Sequence, residues 1–126
     1  MSFYTVVNCM DGRVQLPVIS YLRKRFNVMY IDSVTEPGPN LILAQNSEKS
    51  VVEQIFKRIN ISIDNHGSIG IGVVGHFGCA GNPTSEKEQV HHTRNAVKLL
   101  KSKFSTIPVI GLWVNEDWEV SEVNLE

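Results

Sequence analysis

The chain has 126 residues, 42% of them hydrophobic, with two cysteines, four histidines and a formal charge of −1; its isoelectric point is near 6.4. That length fits one domain over residues 1–126, since domains cluster at roughly 100 to 150 residues, and the near-neutral balance argues against nucleic acid, whose partners carry a basic surplus. No apolar run reaches the roughly 18 to 20 residues of a membrane span, and the first residues lack the basic and long apolar segments of a secretory leader, so a cytoplasmic protein without a membrane partner is expected.

In chain order, residues 3–9 (Phe3 to Cys9) are almost continuously apolar, the pattern of a strand covered on both faces. Beyond Asp11-Gly12-Arg13, Pro17 suits the first turn of a helix, which Val18, Leu22 and Phe26 continue at helical spacing. Residues 28–34 read as a second strand. The stretch Thr35-Glu36-Pro37-Gly38-Pro39-Asn40 reads as a break, because two prolines and a glycine interrupt either regular structure. A helix over 47–59 follows, with Ser47 as its N-cap and Val51, Val52, Ile55 and Ile59 as its buried stripe; residues 60–67 read as loop. Residues 68–75 make a third strand. Ser85-Glu86-Lys87-Glu88 matches a capping box and opens a helix on which Val90, Thr93, Val97, Leu100 and Phe104 share a face. Residues 108–114 make a fourth strand, and the tail over 117–125 offers a short edge strand.

Strands alternating with helices imply an α/β fold, a three-layer sandwich around a mainly parallel central sheet. In the common strand order 2-1-3-4, with the edge strand as a fifth, strands 1 and 3 are neighbours. The crevice outside their C-terminal ends is then the switch point where ligands bind.

Those two ends carry the reactive side chains. Cys9, Asp11 and Arg13 alternate, and residues two apart on an extended chain project to the same side, so the three are expected to converge. The third strand runs into Gly75-His76-Phe77-Gly78-Cys79. Zinc takes thiolate and imidazole ligands, and a catalytic site keeps three protein ligands and one open position; Cys9, His76 and Cys79 make that set. Two cysteines in a chain expected inside the cell favour metal ligation over a disulfide. Asp11 has two roles open to it, fourth ligand or acceptor of a proton from metal-bound water, and Arg13 would decide between them by gripping the carboxylate.

Taken singly, each residue also has a plainer reading. The cysteines could pack as small hydrophobes, and Asp11 with Arg13 could be a turn-stabilising ion pair. Their combination is what favours a metal. His91 and His92 read as a solvated helix face, with proton transfer as the alternative. Phe77 reads as pocket wall or simple packing, Glu36 as an exposed loop carboxylate, and His66 receives no role. A thiol phosphatase would need a longer phosphate loop than Cys9 to Arg13 allows, and a redox protein a Cys-x-x-Cys pair.

Cys9-x-Asp11-x-Arg13 followed by His76-x-x-Cys79 resembles the paired signature of the β-class carbonic anhydrases. The resemblance implies Zn2+ held by Cys9, His76 and Cys79, a gate formed by Asp11 and Arg13, and assembly as a homodimer or higher homo-oligomer. The reaction it implies is that of a lyase: attack of zinc-bound hydroxide on carbon dioxide to give bicarbonate, reversibly. Two features depart from the pattern. The first strand begins almost at Met1, where the family places N-terminal helices, and Thr35-Glu36-Pro37-Gly38-Pro39 stands where it carries an Arg-x-Ala-Gly type loop. A non-catalytic zinc protein, or a hydrolase of a carbon–sulfur analogue of carbon dioxide, are the alternatives.

Overall fold

The computed structural model describes residues 2–125. In chain order the elements are β1 (Phe3–Cys9), a 3-10 turn (Gly12–Val14) leading into α1 (Gln15–Phe26), β2 (Tyr30–Glu36), α2 (Pro39–Gln45), α3 (Lys49–His66), β3 (Ile71–His76), α4 (Glu86–Lys103), β4 (Val109–Val114) and β5 (Val120–Glu122). They form one sheet in the order β2-β1-β3-β4-β5. All pairings are parallel except β4 with β5, so the expected architecture is observed. No helix among the described residues is long and apolar enough to cross a membrane.

Alternate side chains of the inner strands feed two cores, as the period of two in a pleated strand requires. Val7, Ile71, Val73 and Val109 pack under α2, α3 and α4 with Leu43, Ile55, Ile59, Val97 and Leu100. On the other face Tyr4, Val6, Val74 and Leu112 pack under α1 with Val18 and Leu22. The Tyr4 ring packs against the backbone just before β3 because Gly70 leaves it room: a Cβ there would sit 2.5 Å from the ring. Burial of these strands on both faces explains their unbroken apolar sequence.

Three expectations are corrected. First, residues 60–66 are helical: α3 runs to His66 and ends at Gly67, whose left-handed backbone donates its N–H to the carbonyls of Ile63 and Ser62. The polar run Asn60, Asp64, Asn65 faces solvent, while Ser62 extends the buried stripe by bonding Asp32, Ser68 and Thr5. The helix also starts at Lys49, with Glu48 rather than Ser47 at the cap position. Second, the proline-rich break holds a helix: Gly38 takes a left-handed backbone and Pro39 opens α2, a position where its missing N–H costs nothing. Third, β2 lies two residues later than expected and reaches Glu36, which pairs with Cys9 across the sheet. The capping box is observed in part, with Ser85 Oγ accepting from the Glu88 N–H.

Candidate metal centre

Cys9 is the last residue of β1 and His76 the last of β3. The two strands are neighbours in parallel register, so both side chains emerge at the same end of the sheet. Cys79 joins them from the turn after β3, where Gly78 adopts φ +69, a conformation that glycine tolerates without strain. All three are buried.

The ligand atoms of Cys9, His76 and Cys79 lie within 4.8 Å of one another, and the two sulfurs are 3.9 Å apart. Two sulfurs sharing a tetrahedral zinc at about 2.3 Å each would be about 3.8 Å apart. His76 Nδ1 donates to the Phe77 carbonyl at 2.8 Å, which fixes the proton on that nitrogen and leaves a lone pair on Nε2. Nε2 is buried and has no hydrogen-bond partner. A buried polar atom left unpaired is costly, and a metal ion would satisfy it. The donor set of two sulfurs and an imidazole suits zinc far better than calcium or magnesium.

The electrostatics also suit thiolate formation. The Cys9 thiol is pulled down, chiefly by a hydrogen bond from the Cys79 thiol, against burial, with help from His76 and the backbone amides of Gly38 and Asp11. Cys79 is pushed up by the same contact and by burial. The pair therefore shares a proton, and its first ionisation is easy. Burial opposes charge on His76, but the Cys9 sulfur and the Phe77 carbonyl outweigh it and push its pKa up.

Asp11 and Arg13 meet, though not by strand alternation. The chain leaves extended geometry after Cys9, and Asp11 caps the 3-10 turn by accepting from the Arg13 N–H at 2.9 Å. That turn swings the guanidinium back onto the carboxylate: Nη2 donates to Oδ2 at 2.7 Å and Nε to Oδ1 at 3.1 Å. Arg13 Nη2 also reaches the Gly78 carbonyl at 3.4 Å, linking this pair to the loop that bears Cys79. Gln15 Nε2 donates to the carbonyls of Cys9 and Asp11. The Arg13 hydrogen bonds hold Asp11 down at about 2. A depressed carboxyl pKa contributes stability that is complete above the ordinary value of 3.8 and is lost as pH falls through about 2. We expect the Asp11 carboxyl carbon to titrate in NMR near pH 2 in the metal-free protein and to move up toward 3.8 in metal-free Arg13→Ala.

A buried polar network supports the ligand loop, and nothing in the sequence reading marked it. Gln89 on α4 accepts the His76 N–H at 3.1 Å and donates to the His76 carbonyl at 2.7 Å and the Asn82 carbonyl at 3.2 Å. One side chain thus clamps both ends of the segment carrying His76 and Cys79. Asn40 donates to Gln89 and Thr93 and accepts from Asn82, and Asn82 also donates to His92 Nδ1. Here His92 is a structural acceptor, while His91 is exposed beside Asn95. Glu36 is half-buried and ion-paired with Arg58 on α3, and His66 stacks on Phe3 and pairs with Asp32. Phe77 is exposed.

The loops after β2 and β3 touch backbone to backbone. A Cβ on Gly81 would stand 2.4 Å from the carbonyl carbon of Pro37, so Gly81→Ala must displace the segment holding Cys79. We expect that substitution to weaken zinc binding by about 10- to 100-fold, the range of losses from supporting residues, as measured by chelator competition.

A family model described as "Putative carbonic anhydrase" matches residues 1–124. Among solved structures, a tetrameric β-carbonic anhydrase from the filamentous ascomycete Sordaria macrospora superposes with a TM-score of 0.64 at 11% identity, over 96% of this chain and 80% of that one. The β-carbonic anhydrase CafA of the fungal pathogen Aspergillus fumigatus gives 0.54 at 10% identity, over 98% and 76%. At such identities the likeness is one of fold. No curated protein sequence matches the chain.

Proposed function

The chain belongs to the β-carbonic anhydrase family, and on that premise we propose that it binds zinc through Cys9, His76 and Cys79 and hydrates carbon dioxide reversibly to bicarbonate. The observation that best supports this reading is the buried, unpartnered Nε2 of His76 beside two sulfurs that favour a shared charge. When bound, zinc supplies a Lewis acid that brings the ionisation of water toward neutral pH.

The chain's own residues do the rest. Both oxygens of Asp11 are occupied by Arg13, a grip that would keep the carboxylate from serving as a further ligand to a metal held by Cys9, His76 and Cys79. Held at about 2, Asp11 accepts a hydrogen bond at neutral pH without retaining the proton, so its role is to orient water. Met10 and Phe77, exposed beside the ligands, give an apolar approach for a substrate with no dipole. Leu16, 79% exposed at the start of α1, is a further apolar surface residue available for self-association as a homodimer or higher homo-oligomer.

Metal analysis joined to stopped-flow carbon dioxide hydration across about pH 6 to 9, around the pKa of roughly 7 expected for metal-bound water, tests the proposal. Stoichiometric zinc with hydration is the expected result. Stoichiometric zinc with turnover of carbonyl sulfide alone would make the protein a hydrolase, and zinc with neither activity would make it a non-catalytic metal module.

A further inference from the structure

We propose that Trp118 is a positioning residue for this centre: its indole face fixes the Arg13 guanidinium and thereby keeps Asp11 clear of the metal's fourth corner. The proposal rests on the functional reading above. Arg13 is more than half exposed, at 56% of its side chain, and exposed ion pairs are weakly held because both side chains can swing into water. Something must restrain this one if it is to act as a gate. The Arg13 Cζ lies 4.7 Å from the centroid of the Trp118 ring, within the range at which an indole face attracts a guanidinium. Asp11 holds one side of the guanidinium, the Gly78 carbonyl another, and the indole covers its face.

The backbone of Trp118 bears the mark of an imposed position. Its φ is +61, a region that bulky residues rarely enter and that persists only where the surroundings over-determine it. Here they do. Asn115 Oδ1 accepts from the N–H groups of Asp117 and Glu119 at 2.9 and 3.0 Å, Asn115 Nδ2 donates to Glu119 Oε1 at 3.0 Å, and the Trp118 N–H donates to the Asn115 carbonyl at 3.0 Å. The turn is in register with the ligand loop, since the Phe77 N–H donates to the Val114 carbonyl at 2.9 Å. The ring packs against the cluster that contains Cys9, Val14, Cys79 and Val114. Strain in the turn and packing beneath the ring both serve to place the indole over Arg13.

Two variants test this, each loaded with zinc and, separately, with cobalt as a spectroscopic probe. Trp118→Gly removes the ring and accepts the positive φ without strain, so the turn can form; Trp118→Phe keeps an aromatic face. Expected for Trp118→Gly are full metal content, kcat lower by about tenfold, within the usual span for supporting residues, and cobalt visible bands altered and no longer answering to added thiocyanate, because Asp11 has entered the open corner. Trp118→Phe should restore the native spectrum, the thiocyanate response and most of kcat. A Trp118→Gly protein with native cobalt bands and native thiocyanate response overturns the proposal, as does a Trp118→Phe protein that is as impaired as Trp118→Gly. If the native protein shows no hydration, the functional reading fails and the cobalt spectra alone decide the positioning claim.

Discussion

Cys9→Ser is expected to strip the protein of zinc and, with the metal, of hydration activity. Serine keeps nearly the shape of the buried cysteine, which is 3% exposed, so the fold tolerates it. The hydroxyl, however, is not ionised near neutral pH, and the Cys9 sulfur is the one the surrounding groups favour as thiolate. Losing it removes one of three protein ligands and the charge that compensates the ion. Because even supporting residues cost about 10- to 100-fold in metal affinity, loss of a direct ligand should exceed that, by about three orders of magnitude. Chelator competition reads the affinity directly. Thermal unfolding should show that added zinc raises the native midpoint and leaves the variant's unchanged, since only a ligand bound by the folded state stabilises it. A Cys9→Ser protein that holds zinc as tightly as the native one would show that Cys9 is not a ligand.

Arg13→Ala should separate metal binding from turnover. The side chain contributes no ligand atom to the triangle, so zinc should remain stoichiometric. What it removes is the fork on Asp11, whose two oxygens accept three hydrogen bonds from the Arg13 side chain. Asp11 lies two residues from a ligand, and a freed carboxylate beside a divalent ion with an open corner should coordinate it. We expect kcat/KM to fall by at least 100-fold, comparable with losing one group that stabilises a developing charge, with zinc content unchanged by elemental analysis. Full activity in that variant would refute the gate. The contrast between the two substitutions is informative: one empties the centre, the other blocks it.

Much of this could be read from residue order, and the misses have physical causes. The clustering of Cys9, His76 and Cys79 was legible because metal chemistry restricts residue types: few arrangements other than a metal site place Cys, Asp and Arg at one strand end and His with Cys at the next. The sheet order is the common one for alternating strands and helices. Pro37-Gly38-Pro39 was misread because the same residues that end a helix also begin one. Gly38 supplies a left-handed backbone and Pro39 the first helical φ, and only the downstream burial of Leu43 tells the two apart. The end of α3 was lost for a related reason: Ser62 occupies an inward position as a polar residue, its cost removed by three hydroxyl and carboxylate partners that are distant in sequence.

The same reasoning explains why the support of the centre stayed hidden. Gln89 sits one residue before Val90, which looked like the start of the buried face. Yet Gln89 is the buried one, at 1% exposure, because its amide satisfies backbone groups of the ligand loop. Periodicity sorts apolar from polar residues and therefore assigns such a glutamine to solvent. Asn40 and Asn82 are hidden likewise. Trp118 could not have been tied to Arg13, 105 positions away in the chain, since no local pattern announces a cation over a ring.

A crystal structure of the zinc-loaded protein, with the ion placed by anomalous scattering, tests the central claim most directly. It should show one ion bonded to the sulfurs of Cys9 and Cys79 at about 2.3 Å and to His76 Nε2 at about 2.0 to 2.1 Å, with Asp11 still gripped by Arg13 and solvent at the fourth position. An ion bound away from any of those three atoms, or one whose fourth ligand is the Asp11 carboxylate while Arg13 stands free, would contradict it.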